Sequence, residues 1–170
     1  MAITDPRQVG QLLRDIWLYD GTYIVKMALR FSALAFQRPG EIHQMLWADV
    51  DLDKAEWQYF VTKTEVEHIV PLAWQAIEVL REIQPLTGNG RYVFPSSRGD
   101  NRPMSENTIC LALRTLGYDK DTMSAHGFRT VASTLLNEQG SSPDAIERTC
   151  QGMRSGQRTI GRNISLNARR

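Results

Sequence analysis

Only two cysteines occur in the 170 residues, Cys110 and Cys150, forty positions apart and neither with a second cysteine near it. That spacing excludes a disulfide framework and a cysteine-based zinc site. The three histidines, His43, His68 and His126, share no ligand spacing, so neither a structural metal nor a cofactor is expected. Long apolar runs are missing too. No stretch approaches the ~20 apolar residues of a membrane span, and nothing at the N-terminus reads as a secretory signal. A cytoplasmic location without a membrane partner follows. Acidic residues are absent from one region only: from Arg148 onward there are six arginines and no Asp or Glu, which leaves fourteen basic against nineteen acidic side chains in residues 1–147, a net of −5. A polyanionic partner would therefore meet local patches or this tail rather than the whole surface. Tyrosine also stops early, since none occurs after Tyr118.

What is present is ordinary in amount: 42% hydrophobic and 23% charged residues, with no internal repeat, which predicts one globular domain with a real core. The strongest chemical signal is His126-Gly127-Phe128-Arg129, because a histidine and an arginine three apart on a helix project from one face. Ser124 is a candidate N-cap, Phe128, Val131, Ala132, Leu135 and Leu136 form the buried stripe, and Gly140 ends the helix. A ring that donates and accepts, beside a guanidinium fork, suits an oxyanion such as phosphate.

Taken in order, Pro6 opens a helix with Val9, Leu12, Leu13, Ile16 and Trp17 on one face. Tyr23 to Phe36 is apolar nearly all round, which predicts a central helix. Arg38-Pro39-Gly40-Glu41 then starts a short helix through Leu46 and puts Arg38 just ahead of a helix N-terminus, an anion-favouring place. Three short apolar segments, around Val50, Trp57 to Val61, and Ile69 to Leu72, predict a three-stranded antiparallel sheet with Lys63 near the tip joining its second and third strands. A helix follows from Trp74 and ends before Pro85; residues 88–103 form a loop with one apolar insert, Tyr92-Val93-Phe94-Pro95. Ser105 caps a further helix that Gly117 closes, and Ser142-Pro143 starts one that runs to about Cys150. Trp47, Trp57 and Trp74, and all five tyrosines, read as packing residues; Glu41 reads as bracing the arginine helix. The fold class is α+β, mainly helical with a small three-stranded sheet, with a domain over residues 1–150 and a basic, divergent tail over 151–170 that lacks any sustained period.

Arg38-Pro39-Gly40-Glu41, Lys63 in a β-hairpin and His126-Gly127-Phe128-Arg129 resemble the arginine, lysine and His-x-x-Arg boxes of the tyrosine recombinases, the phage-type integrases. His68-Ile69-Val70-Pro71-Leu72, Tyr92-Val93-Phe94-Pro95 and the stretch from Arg102 to Asn107 resemble the integrases of prophages and genomic islands in particular. The resemblance spans residues from about 3 to 148, with the boxes in the family's order. It implies the fold of the family's catalytic domain, double-stranded DNA and other integrase protomers as partners, and residence in the bacterial cytosol at the nucleoid. It also implies site-specific DNA recombination: Arg38 and Arg129 would hold the scissile phosphate, Lys63 would give a proton to the departing 5′ hydroxyl, and His126 would hold the phosphate and assist proton transfer. No metal is implied.

Two departures from the family stand out. Gly152 occupies the place of a second histidine or tryptophan, and the nucleophilic tyrosine has no counterpart downstream of Tyr118. The chain is therefore expected to keep a phosphate-binding site without its nucleophile; the alternative is a non-catalytic DNA-binding module that modulates an intact recombinase. A metal-dependent nuclease finds no paired carboxylates near the boxes. The abrupt loss of acids and of apolar period after Arg148 is what a shifted reading frame produces. Codons can be chosen for residues 150–169 that, read two bases on, encode a histidine followed by Ala-Glu-Arg, then a tyrosine, then Tyr-Leu-Pro-Glu-Arg, which resembles the family's ending.

Overall fold

Asp5 begins the first helix. Its carboxylate accepts from the backbone N–H groups of Arg7 and Gln8, at 3.0 and 3.1 Å, while Pro6 supplies a helical φ at the first position. The computed structural model of the chain describes residue 3 and residues 5–61, 66–144, 146 and 153–154. Helix α1 (Pro6–Leu18) buries Val9, Leu12 and Ile16; Trp17, from the expected stripe, lies at the surface under the Arg30 guanidinium, 5.4 Å from its ring centre.

Helix α2 (Tyr23–Ala35) is the central helix its all-round apolarity predicts, with Met27, Ala28, Leu29, Phe31 and Ala33 buried and with α1 and three later helices packed around it. Burying each large apolar side chain fully is worth about 1.5–3 kcal/mol, so this helix carries much of the core. Phe31 meets Trp57 edge to face at 6.1 Å and Phe94 at 5.7 Å. Tyr23, expected to pack, instead lies at the surface, and its hydroxyl donates to Glu82. The helix stops at Phe36, whose φ of 55° and ψ of 22° are left-handed. For a residue with a Cβ that conformation costs about 1–2 kcal/mol, and it turns the chain sharply into α3 (Pro39–His43).

Strands β1 (Val50–Asp51), β2 (Glu56–Val61) and β3 (Val66–Pro71) form the expected antiparallel sheet, with Trp57 opposite Val70 and Tyr59 opposite His68. Trp57, Tyr59 and Val70 are buried on one face, while Phe60 on the other is exposed. Helix α4 (Trp74–Thr87) runs through Pro85 rather than ending before it. A proline near the helix end removes one hydrogen bond only. The last turn is held by Gly88 N–H on the Gln84 carbonyl, by the Thr87 hydroxyl donating to the Val93 carbonyl, and by Trp47 Nε1–H donating to Thr87 Oγ1. Trp74 is 67% exposed, so it is not a core residue.

The expected loop after residue 88 contains a short hairpin, β4 (Pro95–Ser96) and β5 (Gly99–Pro103), whose polar second strand carries no apolar alternation to announce it. Helix α5 (Thr108–Thr115) starts three residues after Ser105, which accepts from Asn107 N–H in a preceding turn instead of capping the helix. Helix α6 (Gly127–Glu138) closes as α5 does. Gly117 and Gly140 take positive φ, and the next residue's N–H reaches back to Leu113 and Leu136, a Schellman closure. Pro143 and Asp144 are helical, with Ile146 N–H on the Ser142 carbonyl; the expected run to Cys150 lies largely outside the described residues. A fourth, two-residue strand β6 (Met153–Arg154) pairs antiparallel with the edge of β3, so part of the tail is structured by a template rather than by any period of its own. Among the described residues no helix is long and apolar enough to cross a membrane.

Candidate functional site

Arg38 stands at the N-cap position of α3, with extended backbone, and its carbonyl accepts from Glu41 and Ile42 N–H at 3.0 and 3.1 Å. Pro39 makes the chain enter the helix at that residue, which projects the arginine into solvent beside the first turn. Glu41 sits in that turn.

His126 is held from the other side of the chain. Asp119 accepts from the N–H groups of Asp121 and Thr122 and from the Thr122 hydroxyl, which folds residues 119–122 into a tight turn. Those bonds, led by Thr122, hold the Asp119 carboxyl below the usual carboxylate range. Arg114 of α5 reaches over this turn and donates to the carbonyls of Tyr118 and Met123. Met123 and Ala125 are buried, and Ser124 Oγ accepts from Gly127 N–H at 3.2 Å, a turn contact ahead of the helix rather than the N-cap expected of it, a position that His126 takes. His126 is exposed at the N-cap position and Arg129 half-buried in the first turn of α6.

The two stretches meet. Arg38 and Glu41, Glu106 and Asn107 just ahead of α5, Cys110 within it, and Ser124 and His126 all line one cavity of about 380 Å³. Arg129 lies three residues after His126, in the first turn of α6. On β2, the buried Tyr59 phenol is pushed up to about 12, by burial first and then by the Glu41 carboxylate, against the opposing charges of Arg38 and Arg129. Lys63 lies outside the described residues. The neighbours Gln37 and Tyr59 gave no sign in the sequence: Tyr59 reads as one more alternating strand residue and does pack, but its hydroxyl donates to Gln37, the residue before Arg38.

A larger cavity, about 1010 Å³, is lined by Asp49, Asp51, Asp53 and Glu67 with Lys54, Arg81 and Tyr59, and among the described residues holds none of the sequence-predicted site residues. No group of three or more His, Cys, Asp or Glu able to hold a metal occurs among the described residues.

What the smaller cavity and the arginines can do is bind an oxyanion: two planar forks and an imidazole, with a helix start on either side. The sequence profile of the phage integrase family matches residues 4–152. The integrase of Enterobacteria phage P4 is 35% identical over 154 residues, covering 81% of this chain and 35% of that protein. Among solved structures, the lambda integrase catalytic core overlays with a TM-score of 0.63 at 19% identity, covering 85% of this chain and 93% of that one. A lambda integrase dimer bound to a COC′ core site overlays with a TM-score of 0.62 at 19% identity, covering 89% of this chain and 45% of that one. The chain thus spans about a third of the length of the curated relative and nearly all of the lambda catalytic core. With an α+β fold shared with tyrosine recombinase catalytic domains and a profile match over most of its length, the chain belongs to the phage integrase family.

Proposed function

We propose that this chain binds a backbone phosphate of double-stranded DNA between Arg38, Arg129 and His126, the phosphate-holding part of an integrase that breaks and rejoins DNA strands in site-specific recombination. The observation that carries this is the cavity that Arg38, at the start of α3, shares with His126, at the start of α6, whose first turn holds Arg129. Paired guanidinium groups neutralise the charge that develops on the non-bridging oxygens, so no metal is called for. Lys63, on the hairpin joining β2 and β3, would protonate the departing 5′ hydroxyl, and His126 would assist that proton transfer. The domain reading is residues 1–150 as the catalytic-like part and 151–170 as a basic tail. The relatives supply the setting: integrases of bacterial viruses, one seen as a dimer on a core site, which points to other protomers as partners and to the bacterial cytosol.

A tyrosine to attack phosphorus is absent from residues 119–170, which favours a second reading in which this chain holds DNA and modulates an intact recombinase without cutting. Both readings require the same arginines. Binding of a duplex oligonucleotide, followed by anisotropy, should be weak and should fall steeply between low and physiological salt. Arg38→Ala and Arg129→Ala should each weaken it about tenfold at low salt. Wild-type affinity in both variants would sink the phosphate-site reading; addition of the chain to an active recombinase reaction separates the second reading from the first.

A further inference from the structure

Beneath the proposed site lies a polar pair that the phosphate chemistry has not used. Tyr59 is only 8% exposed, and its ring centre lies 4.6 Å from that of Trp57, tilted by 36°, and 5.6 Å from that of His68, stacked at 13°. A phenol so packed has little room to swing aside. Its hydroxyl donates to Gln37 Oε1 at 3.4 Å, and the Gln37 amide donates in turn to the Ala35 carbonyl at 3.2 Å. Gln37 is itself 2% exposed. The amide therefore straps the end of α2 to β2 across Phe36, whose left-handed backbone persists only where its surroundings over-determine it. The residue that leaves this strap is Arg38.

We infer that Tyr59 is a positioning residue for the phosphate site: its buried hydroxyl, together with Gln37, sets the direction in which Arg38 is presented. The inference rests on the reading that Arg38 and Arg129 hold a DNA phosphate. A carboxylate beside Arg38 would neutralise the charge a phosphate needs; a hydroxyl that bonds Gln37 leaves that charge available. Burial, first, and Glu41 keep the phenol protonated far above neutrality, so it plays this part throughout the physiological range.

Tyr59→Phe keeps the stacked ring and removes only the oxygen. Duplex-oligonucleotide affinity at low salt should fall about five-fold, the scale of one net hydrogen bond, with the thermal midpoint close to that of the unaltered chain. In Arg38→Ala the further change Tyr59→Phe should add no loss, because the group it positions is gone. The side-chain Nε–H resonances of Arg38 and Arg129, read in protein labelled with nitrogen-15 arginine, should move in Tyr59→Phe. Phe60→Ser, on the same strand but facing out, should leave all of these unchanged. Additive losses with a lowered midpoint and unmoved arginine resonances would make Tyr59 merely a core residue and overturn the inference, as would a DNA adduct on Tyr59 itself. Should Arg38→Ala and Arg129→Ala lose affinity while Tyr59→Phe binds normally, the Tyr59 inference alone falls. Should both arginine variants bind normally, the site reading falls and takes this one with it.

Discussion

Phenols, rather than carboxylates, are the side chains in this chain whose ionisation most clearly registers the fold. Tyr118 is pushed up to about 12, by burial first and then by the hydrogen bond its hydroxyl donates to Asp15 of α1; Tyr59 is pushed as high, chiefly by burial. A group whose folded pKa lies above its unfolded value stabilises the fold fully below that unfolded value, here 10.0, and loses the contribution as the pH climbs toward about 12. Thermal midpoints measured across pH 10–12 should therefore drop steeply, and Tyr118→Phe should flatten the drop while lowering the midpoint at neutral pH. A midpoint independent of pH in that window would show that the Tyr118–Asp15 contact does not tie α1 to the end of α5. At this scale the sequence was informative where function is written locally. Arg38 and the pair His126 and Arg129 announce themselves by a proline-started helix and a three-residue spacing. Gln37 and Tyr59 do not, because what makes them notable is a contact between residues 22 apart that exists only after β2 packs under the end of α2.

Elements came through the sequence unevenly, and for physical reasons. Helices α1 and α6 and the first three strands each bury one face, so apolar period found them, and α2, enclosed on most sides, showed as a run apolar nearly all round. The β4–β5 hairpin has a polar second strand, β6 is two residues paired on the edge of β3, and the end of α4 is decided by Thr87 and Trp47 rather than by Pro85. The link between α5 and α6 depends on a single guanidinium: Arg114 grips the carbonyls of Tyr118 and Met123 and so fixes the turn that delivers His126. Arg114→Ala should destabilise the domain by about 2 kcal/mol, since two carbonyls lose a charged donor. Urea unfolding would measure it. DNA affinity should fall beyond that of an equally destabilised variant in the core, such as Leu113→Ala on the same helix, because only the first loosens the approach to His126.

At the scale of the whole chain, residues 1–147 are net acidic and residues 119–170 hold no tyrosine. Arg38 and Arg129 can stabilise a transition state only if something attacks, so a nicked suicide substrate should trap no protein–DNA adduct on a denaturing gel. A tyrosine-linked adduct would falsify this. The codons for residues 150–169 are expected to carry the displaced ending two bases on, and codons that do not would dispose of the shifted-frame account.

One feature of the fold extends to its motions. Helix α2 touches α1, α3, α4 and α5, so its amide hydrogens can meet water only when the whole domain opens, whereas α3 is a five-residue helix whose amides need only a local excursion. Arg38 and His126 are thus mounted on fast-exchanging margins of a slow-exchanging centre. Deuterium uptake should show it directly: duplex DNA should slow exchange over α3 and the start of α6 by holding those margins shut, and should leave the interior of α2, already limited by global opening, much less affected.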